Sequence, residues 1–311
     1  MKIMKFGGSS VANAENINKV IDIVLEQKIN DIVIVVSALG GITDNLVMLA
    51  NLASKPVCAC GEKKKNEESK KLFESICERH DKVIGELIVS EKKMKVLKEI
   101  SKKYGELEEI IKNISGKELS KQSLDAVMSF GELLSSFIIS EVIRERGVPC
   151  EFVDSRDIIK TDNNFGNAEV DIKKSYQLIS EYFSARGGSA FGGKNYLSVM
   201  GGFIASTKNG ETTTLSRGGS DYTASLVGAA VDASVVEIWT DVDGLMTADP
   251  RKFKDAVLIP EISYEKAEEM ALAGAKVIHP RTMKPAKLKN IIILIKNTFN
   301  PQALGTKIYN K

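Results

Sequence analysis

The chain has 311 residues, of which 43% are hydrophobic and 27% are charged. These values are ordinary for a folded globular protein and exclude a disordered or collagen-like chain. Lys and Arg number 43 against 41 Asp and Glu, so the net charge is +2. This balance argues against nucleic-acid and membrane-surface partners, because both require a one-sided field.

The beginning of the chain alternates between predicted strands and helices. Residues 2–6 are predicted to form a strand, and residues 31–37 are an apolar, β-branched run, typical of a strand covered on both faces of a parallel sheet. Apolar residues at helical spacing predict helices at 14–27 and 43–53. A glycine pair follows each strand, and this order of strand, turn and helix is typical of the βαβ units of an α/β protein.

Residues from about 56 to 122 have a different pattern, with lysine runs that predict a helical insertion with a solvated face. We place the boundary between an N-terminal lobe (1–185) and a C-terminal lobe (186–311) in the region 171–194. The remaining predictions are helices at 124–146, 222–231, 263–273 and 280–289, and strands at 150–153, 197–200, 235–240 and 291–295, the last of which closes the fold.

Four cysteines and two histidines limit the possible metal and redox chemistry. Cys58, Cys60, Cys77 and His80 could be taken for a zinc cluster, but their spacing fits no common structural site. We expect reduced thiols in a cytoplasmic protein, because the cysteines have no framework spacing. The first residues contain no signal-peptide apolar core, and no uncharged apolar stretch reaches the length of a membrane span.

Half of the 24 glycines occur in six adjacent pairs. Paired glycines allow several backbone N–H groups to converge on one anion, often at a helix N-terminus. At least four pairs follow a predicted strand or precede a predicted helix, which favours phosphate binding over simple tight turns. The six pairs lie at residues 7–8, 40–41, 187–188, 192–193, 201–202 and 218–219.

Two standard nucleotide-binding motifs are absent. No two glycines have the i,i+2 spacing of a dinucleotide-binding fingerprint. Residues 188–195 nearly match a P-loop, but Asn195 replaces the Ser or Thr that binds Mg²⁺, and a strand follows where a helix is required. We interpret this segment as a surface loop, so any nucleoside triphosphate would be bound by other means.

Charged residues accompany the glycine pairs. Lys5 precedes Gly7, where its ammonium could act as a point charge on a phosphate. Arg217 and Asp221 flank another pair at the start of a predicted helix. Asp241 follows a predicted strand, and carboxylates at such strand ends suit Mg²⁺ or ribose hydroxyls.

Six segments, in order and over nearly the whole chain, resemble aspartate kinases of the amino-acid kinase superfamily. They are KFGGSSV (5–11), SALGGITD (37–44), SFGE (129–132), TTLSRGGSDY (213–222), IWTDVDG (238–244) and GAKVIHPRT (274–282). The resemblance implies a single amino-acid kinase domain: a three-layer αβα sandwich around a mainly parallel sheet of about eight strands. It further implies ATP-dependent phosphorylation of the β-carboxylate of L-aspartate, the first step of lysine, threonine and methionine biosynthesis.

The resemblance also implies residue roles. Lys5 and the amides of Gly7 and Gly8 would hold the transferring phosphoryl group, and Asp221 would orient Lys5 or the metal. Glu132 would bind the α-ammonium of aspartate and Arg217 a carboxylate. The other implied aspartate-binding residues are Ser37, Thr43 and Ser220, and the other implied nucleotide-binding residues are Ser9, Thr240, Asp241, Met246, Arg251, Lys276 and Val277. No direct protein ligand for a metal is predicted, because Mg²⁺ would arrive with ATP.

Several positions depart from the family pattern. Ser9 replaces the usual Thr, and Ser216 stands where Gly is common. Met246 occupies a position where many members carry a Tyr near the adenine; its thioether covers a ring face but donates no hydrogen bond. The chain also stops before the ACT regulatory domains that family members commonly carry. It is therefore an unregulated catalytic subunit, one regulated by a separate chain, or a truncated chain.

Two alternative functions remain open from the sequence. One is a kinase of another small acid or phosphate monoester on the same fold. The other is a non-catalytic sensor of an amino acid or nucleotide that acts through a partner subunit. A homodimer is expected from the superfamily.

Overall fold

The computed structural model describes residues 1–27, 31–54, 62–185, 196–248, 253, 255–273 and 278–310. At residues 62–66 and 196 only the backbone is described. In these parts of the chain the helices are α1 (Ala14–Leu25), α2 (Ile42–Ser54), α3 (Glu62–Leu87), α4 (Lys93–Ile114), α5 (Lys121–Glu145), α6 (Ser155–Ile158), α7 (Ile172–Ser184), α8 (Gly219–Ala230), α9 (Tyr264–Leu272) and α10 (Pro280–Leu288). The strands are β1 (Lys2–Phe6), β2 (Asp31–Val36), β3 (Cys150–Val153), β4 (Lys160–Thr161), β5 (Tyr196–Gly201), β6 (Ile204–Thr207), β7 (Thr212–Thr214), β8 (Val235–Thr240), β9 (Glu261–Ser263), β10 (Ile292–Asn297) and β11 (Thr306–Tyr309).

The central sheet has eight strands in the order β3-β5-β2-β1-β8-β10-β11-β9. Neighbouring strands are parallel except β10 and β11. β1 lies in the middle, with Phe6 opposite Val36 on one side and opposite Trp239 on the other. Because these strands are parallel, their carboxyl ends lie at the same edge of the sheet, where loops from distant parts of the chain meet.

Side chains alternate across the sheet and divide the core into two layers. Met4 and Phe6 pack in one buried cluster with α1 to α5, whereas Ile3 packs in a second cluster with α6 to α10. Helices therefore cover both faces of the sheet. The predicted three-layer αβα sandwich with a mainly parallel sheet of about eight strands is confirmed.

α5 passes through the first of these layers. Its most apolar 18-residue window has a mean hydropathy of 1.6, which by length and composition would allow a membrane span. In the folded protein 83% of that window is buried, as in the core helix of a globular domain.

Some elements were missed or misplaced by the sequence patterns. No element was predicted at β4, β6 and β7, which form a second, three-stranded sheet. The prediction that residues 291–295 close the fold is wrong, because β11 follows β10 and pairs with it in antiparallel orientation. α8 begins at Gly219, three residues before the predicted start at 222, because helical geometry extends into the glycine pair. α7 was not predicted either, although Ile179 and Phe183 are buried four residues apart on one of its faces.

The contact between α5 and the loop after β2 depends on a glycine. A Cβ built on Gly131 would lie 2.7 Å from the Cβ of Ala38. We therefore expect Gly131→Ala to lower the free energy of unfolding by about 1–2 kcal/mol, since overpacking outweighs the gain in helix propensity. Urea denaturation measures this. Gly105→Ala on α4 is the matched control: a Cβ there would meet no atom of the described residues within 4 Å, so it should stabilise the protein by about 1 kcal/mol. Equal effects of the two substitutions would contradict the packing argument.

Candidate active site

Two glycine turns pack against each other where β1 and β2 end. A Cβ on Gly8 would lie 3.1 Å from the carbonyl oxygen of Ala38, and one on Gly40 would lie 3.2 Å from that of Gly8. A side chain at either glycine would require the two turns to move apart slightly, so the glycines allow this close approach. Gly7 N–H bonds the carbonyl of Trp239 (3.2 Å), so the first turn is also fixed to the end of β8.

A third loop reaches the same place from the other half of the sequence. The N-terminus of α8 lies against the end of β5: a Cβ on Gly202 would lie only 2.6 Å from the Cα of Ser220. Gly218 precedes the helix in the left-handed region, with φ 78°, which glycine adopts without steric cost. The Ser37 hydroxyl then donates to that of Ser220 over 3.0 Å, joining the loop after β2 to α8.

These loops enclose a cavity of about 370 Å³. It contains the predicted catalytic and aspartate-binding residues, and it takes residues from both sides of the predicted lobe boundary. Its walls are Lys5, Gly8, Ser37, Ala38, Leu39, Gly40, Gly41, Thr43, Asp44, Glu132, Phe203, Ser216, Arg217, Gly218, Gly219, Ser220 and Asp221.

Lys5 and Asp221 form an ion pair in this cavity. Alternation along β1 turns Lys5 toward the face covered by α8, and its Nζ lies 2.5 Å from Oδ1 of Asp221 in the first turn of that helix. The two side chains are only 11% and 14% exposed, so solvent screens the pair weakly. The pair fixes the ammonium at the carboxyl edge of the sheet, next to the first glycine turn.

Glu132 is a buried carboxyl in the cavity wall. Its Oε1 accepts from the N–H of Ala38 (3.1 Å), whereas Oε2 is buried and has no hydrogen-bond partner among the described residues. Burial raises the pKa of Glu132 to about 8, against the opposing effects of the Ala38 hydrogen bond and the charge of Lys5. Gly201 allows α5 this close to β5, since a Cβ there would lie 2.9 Å from that of Glu132. A buried oxygen without a donor is costly, so the site favours a ligand that brings a positive charge or N–H group.

Arg217 and Thr43, both predicted to bind aspartate, also line the cavity. Arg217 is exposed and forms no ion pair within the described parts of the chain, so its guanidinium is available for an anionic ligand. Thr43 lies in the first turn of α2.

The predicted nucleotide-binding residues are only partly brought together. Gly7, Thr240 and Asp241 share the carboxyl edge of the neighbouring strands β1 and β8, but they do not line the cavity. Ser9 is exposed, and its carbonyl accepts from Asn16 (2.8 Å).

Met246 lies further along the chain from this edge. It is half-buried and forms a β-bridge with Leu258. The predictions for Arg251, Lys276 and Val277 lie outside the described residues, as do those for Cys58, Cys60, residues 188–195 and two of the glycine pairs. Cys77 and Cys150 are free thiols.

Phe203 is a cavity residue that sequence reasoning missed. Its backbone lies in the left-handed region, with φ 64°. Its ring packs against Gly219, where a Cβ would lie only 2.8 Å from Cδ2 of the ring. A bulky residue rarely adopts this conformation, so no sequence pattern points to it. Ser216 and Asp44 were also missed as cavity residues, although both lie within the segments that carry the resemblance.

Comparison with known proteins identifies the family. The amino acid kinase family matches residues 1–297, and the chain belongs to that family. Lysine-sensitive aspartokinase 3 of Escherichia coli is 37% identical over 318 residues, covering 99% of this chain and 64% of that protein. The chloroplastic aspartokinase 1 of Arabidopsis thaliana is 34% identical over 311 residues, covering 98% of this chain and 51% of that protein.

A solved structure shows the same similarity in three dimensions. Escherichia coli aspartokinase III in complex with aspartate and ADP has a TM-score of 0.85 at 34% identity, covering 100% of this chain and 65% of that chain. The chain thus spans about half to two thirds of the length of these relatives.

Proposed function

We propose that this protein transfers the γ-phosphoryl group of ATP to the β-carboxylate of L-aspartate, forming 4-phospho-L-aspartate and ADP in the cytoplasm. The proposal is supported by family membership and by the relatives, which are named aspartokinases. The observation that carries it is the Glu132 oxygen: a buried carboxyl oxygen that has no partner in the described parts of the chain, in a cavity whose other charged groups include Arg217 and Lys5.

The charges of the cavity match those of aspartate. Glu132 Oε2 would accept from the α-ammonium, and Arg217 would bind a carboxylate through its forked N–H groups. Thr43, Ser37 and Ser220 line the same space and add hydroxyl groups that can donate to carboxylate oxygens. Recognition would thus pair each charged end of the amino acid with a group of opposite charge.

Transfer to a carboxylate requires charge neutralisation more than proton transfer. The β-carboxylate has a pKa of about 3.9 and is ionised at neutral pH, so no general base is needed. The difficulty is repulsion between this nucleophile and the γ-phosphate, which Lys5 and the glycine amides would offset. The carboxylate oxygen forms the new bond to the γ-phosphorus, and ADP leaves with the electron pair of the bond that breaks.

Asp221 would keep Lys5 in place during this step, because their ion pair is already formed in the folded chain. The nucleotide would lie along the ends of β1 and β8, where Gly7, Thr240 and Asp241 are found, and Mg²⁺ would enter as part of the MgATP substrate. The aspartate and ATP sites would then meet at Lys5.

Coupled ADP release tests the proposed function. Purified protein with MgATP should release ADP rapidly with L-aspartate, and at no more than a background rate without an acceptor or with L-glutamate, N-acetyl-L-glutamate or UMP. Release with one of the other acceptors but not with L-aspartate would assign a different small-acid or phosphate kinase on this fold. Binding of aspartate without turnover would favour a sensor subunit.

A further inference from the structure

Three of the proposed active-site groups lie on one short segment, residues 216–222, which runs from the loop after β7 into the first turn of α8. The segment carries Arg217, Ser220 and Asp221, and it includes adjacent glycines. Glycine backbones have many accessible conformations, so this stretch requires contacts from elsewhere to stay in one of them. The strand that precedes the segment is fixed, because buried Asp125 accepts from the hydroxyl (2.6 Å) and the N–H (3.1 Å) of Thr214 at the end of β7.

A single side chain on α10 contacts both ends of this segment. Nη1 of Arg281 donates to the Ser216 hydroxyl over 3.1 Å, and its guanidinium carbon lies 4.8 Å from the centre of the Tyr222 ring. Nη2 forms an ion pair with Glu169 at 2.8 Å. The Arg281 side chain is only 23% exposed, so these contacts hold its guanidinium in a partly dry environment.

The helix that presents Arg281 is itself fixed against the segment. His279 caps α10 by accepting the N–H of Arg281 at Nδ1 (3.2 Å), and Pro280 occupies the first helical position. A Cβ on Gly218 would lie 3.1 Å from the Cβ of His279. α10 therefore packs directly on the turn that follows Arg217.

We infer that Arg281 is a positioning residue, which holds both ends of segment 216–222 so that Asp221 pairs with Lys5 and Arg217 lines the same cavity. Arg281 does not line the cavity, so it acts through the segment and does not touch the substrate. The expected effect of Arg281 on the aspartate KM rests on the proposed function, whereas its expected effect on the backbone of the segment does not. Without the Arg281 side chain, the segment would sample more conformations. Aspartate binding would then be weaker, because it would include the entropic cost of ordering the segment.

The test compares Arg281→Met with Lys287→Met. Lys287 lies on the same helix, is 29% exposed, and pairs with Glu265 (2.9 Å) and Glu268 (3.1 Å) away from the segment. We expect Arg281→Met to raise the aspartate KM about tenfold, with a smaller fall in kcat, and Lys287→Met to change neither. Arg281→Lys keeps the charge but not the fork that reaches two oxygens at once, so it should raise KM about threefold.

Hydrogen exchange followed by mass spectrometry supplies a readout that needs no substrate. Amides of 216–222 should exchange faster in Arg281→Met, while those of the central strands keep their wild-type rates; Lys287→Met should leave both unchanged. Equal KM values and exchange rates in the two variants would overturn the inference. If Arg281→Met fails to fold, the same comparison is made with Arg281→Lys, and a wild-type KM and exchange rate there would overturn it equally. Failure of the wild type to use aspartate would refute only the proposed function.

Discussion

Lys5→Ala is expected to lower kcat by at least about 100-fold and to change the aspartate KM only modestly. The physical reason is that the ammonium neutralises charge that develops during phosphoryl transfer, whereas aspartate binding would rely on Glu132 and Arg217. Steady-state kinetics with MgATP and varied L-aspartate measure the two effects separately.

A second buried lysine in the same strand controls for loss of stability. Lys2 forms an ion pair with Glu237 at 2.6 Å, and the two side chains are 9% and 7% exposed. Removing either lysine leaves a buried carboxylate without its cation, so both variants should unfold at lower denaturant concentration. Only Lys5 lines the cavity. A kcat for Lys5→Ala equal to that of Lys2→Ala would remove Lys5 from the mechanism.

Glu132→Gln should raise the aspartate KM by about 100-fold at pH 8 while changing kcat less, because an amide cannot pair with the α-ammonium. Glu132→Ala should act on KM in the same direction. Glu145→Gln is the matched control: it lies at the end of the same helix and bonds Ser90, remote from the cavity. An unaltered KM in Glu132→Gln would undo the assignment of the ammonium site.

The pH dependence of the aspartate KM, compared between the wild type and Glu132→Gln, is a sharper test. Burial raises the pKa of Glu132 to about 8, so the free carboxyl is mostly protonated at pH 7. An ammonium binds the ionised form, so the wild-type KM should fall by up to about tenfold per unit as pH rises from 6 toward 8. Glu132→Gln should lose this dependence. A wild-type KM independent of pH over this interval would contradict the proposed role.

The same raised pKa predicts how stability changes with pH. In the unfolded chain the carboxyl has its ordinary pKa of 4.5, and in the folded chain it has a pKa of about 8. Its contribution to stability is therefore fully present below pH 4.5 and is lost as pH rises through 8, since unfolding then releases a proton. Relative to Glu132→Gln, wild-type unfolding free energy should fall between pH 5 and 8, as urea denaturation at each pH would measure.

Much of the fold could be predicted because the strands that strong local sequence patterns indicate are those that form the central sheet. The bounds of β1, β3 and β8 match the predicted ranges, since their apolar runs end at glycine, polar residues or turns. β11 is short and owes its place to antiparallel pairing with β10, a long-range contact that no local pattern encodes. α7 did carry a signal in its apolar spacing, with Asp171 as its N-cap.

Several residues selected from the sequence line one cavity in the structure, but their contacts could not be predicted. Residue types and the family resemblance selected Lys5, Glu132 and Arg217, although they are far apart in the sequence. The unpartnered oxygen of Glu132 could not be foreseen, because it depends on how closely α5 approaches Gly201. The contacts of Arg281 depend likewise on the packing of α10 against segment 216–222.

Trapping the product with hydroxylamine tests the central claim most directly: that fixed cations and backbone donors bring a carboxylate and a phosphate together for transfer. An acyl phosphate reacts with hydroxylamine to give a hydroxamate. We predict aspartate β-hydroxamate in amounts equal to the ADP released by the wild type, and almost none from Lys5→Ala. ADP release without hydroxamate, or equal hydroxamate yields from the two proteins, would contradict this account.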